Sequence, residues 1–183
     1  MKTRGYLLML AALLITVGGC IAETWTTFRS ADGEFEVEFP GEHKESARTD
    51  NDVVFGKLIL RIITADESKP GKGTIVYMVM YCDYPDSLMN SGMDTSILEG
   101  HLEKAINEIV TQGNSTLVLK EKAQINGYPG KKIRVEYEKG TRCMVMKMYV
   151  VKNRQYLVAV TTDKNADSPD ATDRFFRSFR LLK

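Results

Sequence analysis

The spacing of apolar residues changes once along this chain, and that change sets the fold class. Near the start, Phe35, Val37 and Phe39 alternate with Glu34, Glu36 and Glu38 and stop at Pro40. A period of two belongs to a strand with one buried face. From Thr95 the period lengthens: Leu98, Leu102, Ala105, Ile106, Ile109 and Val110 recur at spacings of three and four, while Glu99, Glu103, Lys104, Asn107 and Glu108 take the other side. This predicts one amphipathic helix over about Ser96 to Thr111. Thr95 or Ser96 can cap its first turn, Ser96 with Glu99 makes a capping-box pattern, and Gly113 follows its end. Gly100 inside it costs roughly 1 kcal/mol relative to alanine, so tertiary packing must hold the helix.

On either side of the helix the chain reads as strands. Asp32 and Gly33 supply a turn between Trp25 to Phe28 and the Phe35 segment, predicting an opening hairpin. Val53 to Thr64 and Thr74 to Tyr84 read as a second antiparallel pair around the turn-prone Ser68-Lys69-Pro70-Gly71 stretch. After the helix, Leu117 to Ile125, Lys131 to Tyr137, Cys143 to Val151 and Tyr156 to Thr162 form a meander broken by Asn126-Gly127, Lys139-Gly140 and Lys152-Asn153. Ser168 then caps a short helix with Pro169 at its first position and Asp170 and Asp173 in its opening turn, docked by Phe175, Phe176 and Phe179. The expected product is a single α+β domain on a largely antiparallel sheet of about seven or eight strands.

The first residues read differently. Lys2 and Arg4 precede an apolar run from Tyr6 to Val17, and Gly18, Gly19 and Cys20 follow. This is the pattern of a secretory signal, too short for a hydrocarbon core that needs roughly twenty apolar residues. Val17-Gly18-Gly19-Cys20 resembles a bacterial lipobox, with valine where leucine is commonest. The resemblance implies a signal peptide over residues 1–19, acyl chains on Cys20, a tether over residues 20–27 and a globular domain over 28–183. More than one acyl chain meets the requirement for stable anchoring. It also implies the bacterial envelope, and Ile21 in place of an aspartate retention signal favours an outer membrane facing the periplasm. A plain secretory signal cut further on is the alternative.

The chain carries 25 Lys plus Arg against 24 Asp plus Glu. That balance gives neither the basic field that holds a nucleic acid nor the charge excess of a disordered chain. Four further stretches carry a resemblance of a different kind: Phe28-Arg29-Ser30 with Gly33 to Gly41, Asn126-Gly127-Tyr128-Pro129-Gly130, the Tyr149 to Tyr156 hairpin, and Phe176-Arg177-Ser178-Phe179. Their order resembles PsbP-like and DcrB-like (Mog-type) proteins, which implies an α/β/α sandwich. It implies as well a protein that binds or stabilises a partner, since that family spans a photosystem subunit, a Ran-binding protein, envelope lipoproteins and secretion chaperones. No catalytic residue carries over.

The candidate chemistry is sparse. His43 and His101 are the only histidines, neither has a second His or Cys at metal-ligand spacing, and His101 falls on the helix's polar side. A hydrolase would have to recruit one of them without a nucleophile-elbow sequence. Gly71-Lys72-Gly73-Thr74 is no phosphate loop, because a glycine interrupts the triplet and a strand follows it. Asp50 and Asp52 lack a calcium-loop pattern and read as a solvated turn. No cofactor motif is present. Cys82 and Cys143 form a disulfide only if their strands pair antiparallel at that register; two separately buried thiols are the alternative. Met144, Met146 and Met148 alternate along one strand as Met78 and Met80 do on another, and they either fill the core beneath the helix or line a face for an apolar partner or Cu(I). Tyr77, Tyr81, Tyr84, Tyr149 and Tyr156 either form a binding face likewise or make only the second layer under a helix. Arg174, Arg177, Arg180 and Lys183 read as the solvated outer side of the last helix, within reach of anionic headgroups.

Overall fold

The structure, a computed structural model, describes residues 24–70, 73–164 and 169–182. The signal segment, Cys20 and the Ser168 cap lie outside the described residues, as do Gly71 and Lys72. The chain opens with a hairpin of β1 (Trp25–Ser30) and β2 (Phe35–Pro40). Its turn closes through the Gly33 amide on the Ser30 hydroxyl at 2.9 Å and needs glycine, because a Cβ at Gly33 would sit 2.5 Å from the Phe35 ring. Phe35, Val37 and Phe39 are buried, as the alternation requires. On the outer side Glu36 and Glu38 pair with Arg180 and Arg174 at 2.9 and 2.8 Å.

The next hairpin departs from expectation. β3 (Lys44–Asp52) pairs along its whole length with β4 (Gly56–Asp66), whereas the sequence reading began a strand at Val53. Val53 and Val54 sit instead in the connecting turn, 98% and 55% exposed. The Asp52 carboxylate accepts the Val54 and Phe55 amides at 2.7 and 2.9 Å, and these bonds hold its carboxyl below the usual range. Gly56 follows at φ +75°, where a side chain would be strained. The solvated turn expected at Asp50 and Asp52 is thus an aspartate-stapled hairpin tip.

After β5 (Ile75–Asp83), helix α1 (Thr95–Gln112) is capped by Asp94 rather than Thr95 or Ser96. Its carboxylate accepts the Ser96 amide at 2.7 Å. Glu99 is therefore free of capping duty and ion-pairs with Lys122 and Lys131 at 3.5 and 3.6 Å, and Glu103 with Lys120 at 2.8 Å. The meander β6 (Thr116–Ile125), β7 (Tyr128–Tyr137), β8 (Arg142–Val151) and β9 (Arg154–Asp163) follows the expected bounds closely. Asn126 and Gly127 both take positive φ, as their short hairpin turn demands. Helix α2 (Pro169–Ser178) and the short β10 (Arg180–Leu181) end the chain, so Arg180 lies on a strand and not on the helix.

The fold is α+β. Seven strands form one sheet in the order β3-β4-β5-β9-β8-β7-β6, and β1-β2-β10 form a second; every described pairing between strands is antiparallel. The large sheet has the expected number of strands, with β3 at its edge, while the opening hairpin joins β10 and packs as a separate layer. Helix α1 covers one face of the large sheet over a core that includes Met89, Leu102, Ile106, Ile133 and Met146. The small sheet and α2 cover the other face over an aromatic core of Phe35, Phe39, Tyr77, Tyr156 and Phe175.

Candidate functional site

The pull of Glu99 and Glu103 on Lys120, Lys122 and Lys131 seats α1 over the β6–β7 side of the sheet. Lys131 is itself buried, so these carboxylates compensate a charge that would otherwise be costly to desolvate. Beneath the helix burial declines toward the opposite edge. Ala159 of β9 is closed off, Met78 and Met80 of β5 and Leu60 of β4 are half-buried although Cys82 and Leu58 beside them stay buried, and β3 is exposed apart from Asp52.

That decline opens a cleft of about 250 Å³ between α1 and the β3–β4–β5 half of the sheet. Leu58, Leu60, Met80, Cys82, Met148 and Leu157 form its floor, and His101, Ala105 and Ile109 of α1 its roof. Phe55, presented by the stapled tip, stands at the mouth with its ring centroid 4.8 Å from Tyr84 and 5.7 Å from His101. Lys104 Nζ lies 5.9 Å from the Phe55 centroid, in cation–π range. Charged groups line it as well, among them Arg48, Asp50, Asp52, Lys104 and Glu108. Tyr84 Oη donates to Gln155 Oε1 at 3.1 Å, and the Gln155 amide reaches Met148 Sδ at 3.9 Å. Burial pushes the Tyr84 phenol well above its usual range. It also pushes the Cys82 thiol up to about 11, with Asp83 adding to the shift, so both groups stay neutral at ordinary pH. A second cleft, about 690 Å³, lies where the start of α1 meets the β6–β7 turn, but its charged groups Lys122 and Lys131 both already pair with its Glu99.

The residues singled out in sequence are distributed unevenly over this site. Met146 and Met148 are 1% and 0% exposed beneath α1 and Met144 is half-buried, so the methionine strand is core and not an open face. Met148 alone of the three reaches the cleft. Tyr77, Tyr149 and Tyr156 belong to the opposite core, because strand alternation turns them away from Met78, Met80 and Met148. Of the tyrosine set, Tyr84 shares the cleft with Met80 and Met148, and the other four belong to the opposite core.

Cys82 and Cys143 are both buried and free, the second of the two alternatives, and topology keeps them apart. Strand β9 lies between theirs, Cys82 standing opposite Gln155 and Cys143 opposite Thr162. Those partners are seven positions apart, about 23 Å at ~3.3 Å per residue, and a disulfide tolerates roughly 4.4–6.8 Å between Cα atoms. Cys143 Sγ instead lies 3.3 Å from Thr162 Oγ1.

His43 is held in the other half of the molecule, its ring 4.7 Å from that of Phe28 and 5.7 Å from that of Phe39, with Nδ1 buried and unbonded. His101 is half-buried against Phe55 rather than solvated. Among the described residues neither histidine hydrogen-bonds a hydroxyl or carboxylate, and no three His, Cys, Asp or Glu side chains converge as metal ligands. The sequence reading missed Phe55, which it placed in a strand, and Gln155, which has no motif at all. For His101 a signal existed: it stands four residues before Ala105 and eight before Ile109, on the edge of the apolar stripe.

No protein-family model matches the chain, and no curated protein matches it. Among solved structures it is similar to the solution structure of cyanobacterial PsbP (CyanoP) from Synechocystis sp. PCC 6803, with a TM-score of 0.57 and 11% identity over 92% of this chain and 99% of that one. It is also similar to a crystal structure from Bacteroides thetaiotaomicron, at TM-score 0.44 and 12% identity over 86% of this chain and 48% of that one. A third is a Pseudomonas aeruginosa protein of unknown function, at TM-score 0.38 and 8% identity, over 78% of this chain and 85% of that one. The fold is PsbP-like.

Proposed function

We propose that this chain is a noncatalytic, lipid-anchored protein of the bacterial envelope whose cleft beneath α1 binds an apolar group of a partner. The observation that carries the reading is a cleft of about 250 Å³ floored by Leu58, Leu60, Met80, Met148 and Leu157, with Arg48, Asp50, Lys104 and Glu108 also lining it. Its volume falls just below the roughly 300–1,000 Å³ of sites for drug-sized ligands, a size suited to one inserted side chain or a short alkyl segment. Its titratable groups support a binding role over a reactive one. The Tyr84 and Cys82 protons are retained, and Asp52 is engaged in its own turn. The anchor follows from Cys20 in its lipobox-like setting.

A naphthylamine dye that brightens in apolar surroundings tests the cleft on residues 24–183. Saturable binding is expected, and Ala105→Phe, which fills the roof, should weaken it at least about tenfold while the unfolding midpoint holds. Equal dye affinity in both proteins would remove the cleft from consideration.

A second reading rests on one specific feature: Met80, Cys82, Met89 and Met148 all line this cleft. Thioether and thiolate sulfurs select Cu(I), and Cys82 would release its proton on binding. The reduced protein should then take about one equivalent of Cu(I) from a colorimetric chelator, and Met80→Ala should return it. A chelator that keeps all its copper ends this reading.

A further inference from the structure

We propose that the end of the domain around Trp25 rests on the lipid headgroups of the anchoring bilayer, with the Trp25 indole and the Arg174 and Arg177 guanidiniums at headgroup level. The cleft then opens away from the membrane. This rests on lipidation of Cys20.

The length of the connection carries the argument. Cys20 stands five residues before Trp25, and five residues span at most about 18 Å even when fully extended. Trp25 cannot drift from its place, because it opens β1 opposite Pro40 and the Thr24 carbonyl accepts the Gly41 amide at 3.0 Å. An acylated Cys20 therefore holds this end of the domain near the lipid surface, at the high effective concentration that a short link confers.

The chemistry at that end suits a headgroup layer. Trp25 is half-buried, with Arg174 4.6 Å above its ring and Tyr77 edge-on at 5.8 Å. Tryptophan is the residue enriched at membrane–water boundaries, and a guanidinium matches the geometry of a phosphodiester. Arg177 lies exposed one turn beyond Arg174. The Arg174–Glu38 pair is itself exposed, and such pairs are weak enough to exchange for a phosphate. Asp170 and Asp173 are exposed on the same helix, so the contact depends on the tether and the indole more than on net charge.

The rest of the orientation follows from strand direction. Tyr77, against Trp25, and Tyr84, in the cleft, are seven residues apart along β5 and just beyond it, about 23 Å at ~3.3 Å per residue. The β3–β4 tip with Val53 lies at that same far end, because Phe55 touches Tyr84. Seating Trp25 on lipid leaves the tip and the cleft mouth in the aqueous space, where a partner can reach them.

Trp25 is the only tryptophan, so its emission reports this contact directly. The lipidated full-length product is reconstituted into phosphatidylethanolamine–phosphatidylglycerol vesicles, with and without lipids brominated high on the acyl chain. Flotation with the vesicles, lost in Cys20→Ser, establishes the anchor in the same sample. Bromolipid should cut Trp25 emission at least about twofold, whereas a tryptophan at the tip, in Val53→Trp with Trp25→Phe, should be unaffected. Flotation without Trp25 quenching, or equal quenching at the tip, overturns the orientation while leaving lipidation standing. Failure to float overturns the anchor, and the contact with it.

Discussion

Met146→Ala lowers the unfolding free energy by about 2–5 kcal/mol, the range for truncating a large aliphatic side chain in a closed core. Met146 faces Ile133 on one neighbouring strand and Ala159 on the other, and Leu102 and Ile106 of α1 close the space above. Alanine would remove the thioether and leave a void that a sheet braced on both sides fills poorly. Urea midpoints measure the change, provided the unfolding slope is constant. A loss within about 0.5 kcal/mol would mean that α1 does not seal this strand, since only surface changes are normally so mild.

Phe175→Ala should cost still more, about 3–5 kcal/mol. The ring is fully buried, with its centroid 5.4 Å from that of Phe39 and 5.2 Å from that of Tyr77, so one side chain joins α2, the small sheet and the large sheet. Because Met146 and Phe175 lie on opposite faces and share no partner, the double variant should lose the sum of the two effects within about 0.5 kcal/mol. A coupling energy larger than that would show that the two cores communicate through the sheet.

Much of this architecture was legible because it is local. The Phe35-Val37-Phe39 alternation, the α1 stripe and the Asn126-Gly127 turn each follow from a few neighbouring residues, and the structure places strand, helix and hairpin there. β3 was invisible for a physical reason: nearly every side chain from Lys44 to Asp52 faces water, so no apolar period marks it, and its partner strand alone makes it extended. The fate of Cys82 and Cys143 depended on which strand entered between theirs. That is a non-local fact, settled by β9 pairing back to β5 across more than seventy residues. The cleft was hidden for the same reason. Phe55, Tyr84, His101 and Gln155 come from four separate segments, and no spacing in the chain announces their meeting.

The alternation that sends tyrosines to one side of the large sheet and methionines to the other gives its two faces different mechanical character. Aromatic rings at fixed centroid distances and tilts lock into few arrangements, whereas an unbranched thioether can re-pack among several at little cost. The molecule is then a laminate with a stiff ply and a compliant one. Any rearrangement of side chains is therefore easier under α1 than beneath the β1–β2 hairpin.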